Sequence, residues 1–255
     1  MTSANLIQAI AAALALPPEA RVDARVAKKL LTEHGAPTPA DKRAIQDGID
    51  ELQWLSVCKP GTIGVPPYSD DDREYLEIAI IACDFRPGAK AARLIELIHR
   101  AIPYPVVLIT LEAERGSVSL AHKRRSQGEI GKFVIDRVVT VGDIADPLGP
   151  SELAFLRSLA LADQPRQNLF ALYEGWLACV EALNAARLAG AFSTTNDAAK
   201  IELRRTALDV LSRVSREITG LRAKANREKQ MSRRVDLNMQ IQKLEADAAS
   251  HKKNL

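Results

Sequence analysis

Aromatic side chains are scarce, with five Phe, four Tyr and two Trp in 255 residues. A core without large rings has to be built from Ala, Leu, Ile and Val, a composition that favours helix. Cysteine is scarcer still. Cys58, Cys83 and Cys179 are far apart and odd in number, which excludes a disulfide framework and predicts a reducing, cytoplasmic setting. No Cys-x-x-Cys occurs, and His34, His99, His122 and His251 stand singly. No structural zinc site, and no other metal or cofactor, is therefore expected. The chain has no run of about 18 uncharged apolar residues to cross a membrane. The apolar stretch from Leu6 to Leu16 lacks a preceding basic residue and runs into Pro17-Pro18-Glu19, so it reads as a first helix rather than a signal peptide. Gly-x-Gly-x-x-Gly and Gly-x-Ser-x-Gly are both missing, and Gly61-Thr62-Ile63-Gly64 is not followed by Gly-Lys-Ser/Thr. The motif chemistry of dinucleotide sites, serine hydrolases and phosphate loops is thus excluded.

What remains is the composition of a folded, soluble chain: 47% apolar, 26% charged, and a net charge of only +3. The pattern predicts an α+β protein in three parts. Residues 1–67 read as a small helical, winged-helix-like module. Its helices are 4–16, a second carrying Val22, Val26, Leu30 and Leu31, and a third capped by Thr38 and carrying Ile45, Ile49 and Leu52. Residues 68–146 read as a compact β-α-β-β-β core. Leu76–Cys83 forms its first strand, 89–101 its helix, and Val106–Leu111, Val118–His122 and Phe133–Val139 the other strands. Residues 147–255 read as helical throughout. The segment 197–248 would be about 75 Å long as one helix. Leu211, Val214, Ile218 and Leu221 form one coiled-coil seam along it, and Leu237, Ile241 and Leu244 a second in another register. The polar run Asn226–Gln230 separates the two. These seams are the candidate partner-binding surface and a possible route to a homo-oligomer.

Charge is concentrated in two places. Between Arg213 and Arg234 eight basic residues face two acids. Arg222, Lys224, Arg227, Lys229, Arg233 and Arg234 are candidates there for contact with phosphates or with an acidic protein. From Arg115 to Arg137 six basic residues face Glu129 and Asp136, and Lys123, Arg124, Arg125 and Lys132 are the candidates. Metal-dependent nuclease chemistry would need acids gathered from adjacent strands, with a Lys beyond the second. Glu77, Asp84 and Glu112 lie on or beside strands, yet no Glu-x-Lys ends one. His99, at a helix end before Pro103, reads as a partner of backbone carbonyls rather than a base.

The run Ala223 to Asn238, the step Ala101-Ile102-Pro103-Tyr104-Pro105 and the triplet Leu172-Tyr173-Glu174 together resemble a bacterial family, domain of unknown function four-three-nine-one. The resemblance covers about residues 22–247. Its most specific piece is Glu228-Lys229-Gln230 followed by Arg234-Val235-Asp236-Leu237-Asn238. It implies a setting beside helicase, methyltransferase and restriction-type genes in defence islands, and it supplies no catalytic residues. The expected function is a non-catalytic adapter of an antiviral or restriction-like system that docks a helicase- or methyltransferase-type partner through its C-terminal helices. Direct DNA binding by the two basic segments is the alternative, and a metal-dependent nuclease the third.

Overall fold

The computed structural model describes residues 3–126, 128 and 133–255. The chain begins with helix α1 (Ser3–Ala13), strand β1 (Arg21–Arg25), helices α2 (Lys28–His34) and α3 (Pro39–Gly48), strand β2 (Ile49–Cys58) and the short turn of helix α4 (Pro60–Ile63). A two-stranded ribbon, β3 (Tyr68–Ser69) and β4 (Glu74–Tyr75), precedes β5 (Ile78–Phe85), α5 (Ala91–Ala101), β6 (Val106–Glu112), β7 (Arg115–Arg125) and β8 (Phe133–Ile144). Helices α6 (Pro150–Ser158), α7 (Leu169–Ala189), α8 (Ala198–Arg227) and α9 (Met231–His251) complete it. These elements form two compact units, residues 1–180 and 181–255.

The first unit is built on one six-stranded sheet in the order β1-β2-β5-β6-β7-β8. Its β5–β6 pair is parallel, with α5 as the crossover, and the other pairs are antiparallel. The N-terminal segment is therefore not a winged-helix module of helices alone, since it contributes two strands to this sheet. The misreading has a physical cause. In β2 the pairing with β5 shifts between Ile49 and Glu51 and again between Trp54 and Ser56. Each shift re-phases the pleat, so buried Ile49, Leu52 and Leu55 fall three apart and imitate a helix. All five residues of the edge strand β1 are exposed, so it shows no apolar alternation.

On one sheet face, Leu94, Ile95, Leu97 and Ile98 of α5 join Leu31 and Ile45 over Ala79, Ile81, Cys83 and Leu108. Gly35, at the end of α2, sits where a β-carbon would lie 2.6 Å from the Leu97 carbonyl oxygen, so only glycine permits this approach of α2 to α5. Thr38 caps α3 as expected, its Oγ1 accepting from the Asp41 amide at 3.1 Å. The opposite face carries α1, whose Leu6 meets the sheet at Gly116, and the start of α7. There the Tyr173 hydroxyl donates to the Val106 carbonyl and accepts from the Ala121 amide, both at 2.8 Å, which ties α7 to β6 and β7.

In the second unit the expected rod is two helices. Glu228 and Gln230 adopt extended backbone angles, and α9 returns along α8. Arg222 pairs with Glu245 at 2.7 Å, and Arg204 donates to the carbonyl oxygen of Leu255 at 3.4 Å. The pairing of an early α8 residue with the chain's last residue fixes an antiparallel αα-hairpin.

Candidate functional site

The turn of this hairpin gathers charge. Lys224 and Arg227 lie in the last turn of α8, and Arg233 enters from the first turn of α9. With Glu228, Asp236, Leu237 and Gln240 they line a cleft of about 530 Å³. Lys224 and Arg227 face the negative end of the α8 dipole, which favours cations at that position. Gln230 supplies no side-chain cap to α9, so the open amides of its first turn add positive potential to the same tip. Arg222 is engaged with Glu245, whereas Lys224, Arg227, Lys229 and Arg233 are exposed and form no ion pair among the described residues. Arg234 is exposed too, with a guanidinium nitrogen 3.1 Å from Met231 Sδ. Met231, Val235 and Met239 are 65%, 48% and 63% exposed and form one row on the outer side of α9.

The seam residues lie elsewhere. Leu211, Val214 and Ile241 are buried, and Ile218, Leu221, Leu237 and Leu244 are half-buried, because α8 and α9 pack on each other. Most of them lie between the two helices rather than on an open face, and Leu237 also lines the cleft. A heptad-like seam reads the same whether its mate is another chain or the next helix, and only the break at Glu228–Gln230 signals the return.

The second basic segment is largely neutralised. Lys123 corrects the sequence reading most clearly. It is 2% exposed, and its ammonium donates to the carbonyls of His99, at 2.7 Å, and Ile102 at the end of α5. It thereby takes the helix-end carbonyls assigned to His99, whose own Nε2 lies 3.0 Å from Ser119 Oγ. Burial pushes Lys123 down to about 7 and, with the neighbouring Lys123 charge, His99 down to about 3. Arg124 pairs with Asp136 and Arg125 with Glu74, each at 3.2 Å, while Arg115 pairs with Asp143 at 2.9 Å. Arg137 is engaged as well. Lys132 lies outside the described residues.

The nuclease acids are not brought together. Glu77 pairs with Lys59 at 3.1 Å. Asp84 is registered with Leu111, and Phe85 with Glu112, so Asp84 and Glu112 point to opposite faces of the sheet. Burial and the nearby Glu51 and Asp50 push Asp84 up, and Glu112 accepts from the Gly88 amide at 3.1 Å. Among the described residues no group of three or more His, Cys, Asp and Glu could hold a metal ion.

Two features were missed in the sequence. Tyr75 hydrogen-bonds His122 Nδ1, and the other ring nitrogen of His122 lies 2.6 Å from Glu174 Oε1, off the line of its N–H. Phe170 and Tyr173 pack around both. Tyr75 is fully buried, so this chain of contacts ends in the core rather than at a substrate. Tyr173-Glu174 was visible as a motif, but β4 is two residues long and gave no signal for Tyr75. The second feature is an open groove of about 830 Å³ beside α5, lined by Thr110, Ser117 and Thr140 among others. Among its charges Arg100 pairs with Glu96, Arg115 with Asp143 and Asp136 with Arg124, while Glu112 accepts from the Gly88 amide.

Sheet, crossover helix and terminal hairpin define a mixed α/β protein with a central mixed sheet and a helical C-terminal region. The family described as Domain of unknown function (DUF4391) matches residues 14–247, and the chain belongs to that family. Comparison with curated proteins and with solved structures found no match. No helix among the described residues is long and apolar enough to cross a membrane.

Proposed function

We propose that the chain is a non-catalytic accessory protein whose α8–α9 hairpin docks a larger partner at its tip. The observation that supports this reading is the set of exposed cations Lys224, Arg227, Lys229 and Arg233, which have no ion-pair partner among the described residues. Cations left unpaired beside a cleft are available to an external anionic surface. The family resemblance suggests an antiviral or restriction-like setting and a helicase or methyltransferase as the partner class, and the scattered cysteines suggest the cytoplasm.

Direct nucleic-acid binding is favoured by the same cations. With Lys123 buried and Arg124 and Arg125 paired, its contacts would come from the hairpin tip. The test compares the full-length protein with a variant carrying Arg227→Glu, Lys229→Glu, Arg233→Glu and Arg234→Glu. Co-purification with a helicase or methyltransferase from the native host should be lost in the variant, with little DNA binding by either form. DNA binding that falls steeply with salt in the wild type, at a slope of about −0.9 per phosphate contact, and is lost in the variant, would move the assignment to nucleic acid. Unchanged partner capture by the variant would remove the hairpin tip from the function altogether.

A further inference from the structure

At the hairpin tip the seam between α8 and α9 changes character. Farther from the turn the helices meet through buried Leu211, Val214 and Ile241, and the cation Arg222 is matched by Glu245 at 2.7 Å. In the cleft, Lys224 and Arg227 of α8 face Arg233 and Asp236 of α9. Arg233, Asp236, Leu237 and Gln240 recur at steps of three and four, so they share the α9 face that turns to α8. None of the three cations, nor Asp236, forms an ion pair among the described residues. Glu228, the other acid there, accepts from the Gln230 amide at 2.8 Å and so serves the turn. Half-buried Leu237 gives the cleft one apolar wall. Three cations against one uncommitted carboxylate leave this cleft short of negative charge.

We infer that the cleft takes a short, extended segment of a partner protein, in which two or three Asp or Glu adjoin one apolar side chain. The inference rests on the docking reading of the hairpin. The carboxylates lie between Lys224 and Arg227 on one side and Arg233 on the other, where each guanidinium offers a paired set of donors. The apolar side chain rests on Leu237. Size excludes a helix, which at about 10–12 Å across would fill the cleft of about 530 Å³ in roughly one turn. Nucleic acid fits less well, because its backbone carries a charge at every step and meets Asp236 as well as the cations. Single strands also rely on aromatic stacking, and the chain has no Phe, Tyr or Trp from Ser193 to Leu255. A second copy is a poor source of the segment. The chain's own acidic run, Asp70 to Asp72, is held in a tight turn by Asp70, which accepts from the amides of Asp72 and Arg73 at 2.9 and 2.6 Å.

The experiment uses the full-length protein and a fluorescent peptide of Gly and Ser that carries three Glu beside one Leu. Control peptides replace the Glu with Gln or the Leu with Ser, and a DNA duplex and a DNA single strand are tested beside them. The cleft variant carries Arg227→Gln and Arg233→Gln. A distal variant, Arg213→Gln and Arg216→Gln, removes the same charge from α8 outside the cleft. All four side chains are exposed, and far-UV circular dichroism and melting check that both variants fold as the wild type does. The Glu/Leu peptide should bind the wild type and the distal variant alike. The cleft variant should bind it at least about tenfold more weakly, as expected when the paired cations are removed. Both control peptides should bind the wild type more weakly than their parent.

Failure of the wild type to bind the peptide, a loss below about tenfold in the cleft variant, or an equal loss in the distal variant overturns the inference. So does either control peptide that binds as tightly as its parent, or DNA that binds the cleft more tightly than the peptide does. A wild-type dimer in sedimentation that the cleft variant abolishes overturns it too, in favour of a second copy. If the cleft variant loses capture of the helicase or methyltransferase while the peptide fails to bind, the docking reading stands and the segment inference falls. If the cleft variant keeps capture, both fall.

Discussion

Lys123 shows how a side chain's surroundings can reverse the meaning of its charge. It begins a Lys-Arg-Arg triplet that resembles a polyanion site, yet its ammonium occupies the carbonyl end of α5. A cation there satisfies acceptors that the helix leaves open and opposes the dipole's negative pole. Its burial gives a measurable signature. The unfolded chain holds the Lys123 proton up to about 10.4, whereas the folded chain releases it above about 7. Between these values the unfolded state binds more protons, so stability rises with pH. Below about 7 both states are charged and the site adds no slope. Urea midpoints measured from neutral to pH about 10 should therefore rise more for the wild type than for Lys123→Met. Parallel curves for the two proteins would show that Lys123 stays charged in the fold.

Among the elements, α5 and α9 show opposite relations between pattern and role. In α5 the apolar residues Leu94, Ile95, Leu97 and Ile98 are all buried against the sheet, and its helical period was plain. In α9 the apolar residues divide between two faces, Ile241 inward and Met231, Val235 and Met239 outward, so no single stripe stood out. Truncation separates the two faces. Ile241→Ala should destabilise the protein by about 2–4 kcal/mol, as buried large-to-small changes do. Met239→Ala should stay within about 0.5 kcal/mol, as exposed substitutions do. Equal losses in chemical denaturation would place Met239 in a packed interface of the isolated chain.

At the scale of the whole molecule, the strands β5 and β6 were legible as unbroken apolar runs and α5 by its one apolar face. The apolar runs of β5 and β6, buried on both faces, left little ambiguity. β1 and β2 were hidden for opposite reasons, one by full exposure and the other by two shifts of register. Of the candidate site, the charge of the tail was legible and its gathering was not. Lys224 and Arg233 are neighbours across a cleft only because the chain reverses at Glu228–Gln230. The basic residues from 115 to 137 misled because their acids, Glu74, Asp136 and Asp143, come partly from strands that no linear count pairs with them.

The bareness of β1 also bears on how the protein behaves when concentrated. Its outer side pairs with no other strand among the described residues and could template another chain's strand, and Arg21, Asp23 and Arg25 are distributed along it. A second copy of the strand paired in register would set Arg opposite Arg and Asp opposite Asp, which guards the sheet against open-ended growth. Asp23 has a left-handed backbone with φ of 48°, so the test replaces Arg21 and Arg25 with Val and Asp23 with Asn, which tolerates that conformation. The monomer should stay folded, yet concentrated samples should scatter light and bind an amyloid dye within hours, while the native chain stays clear. Samples of that variant that remain clear would assign the guarding role to another part of the sheet. Aggregation of the variant would make the charges of β1 a solubility device that keeps the concentrated protein dispersed.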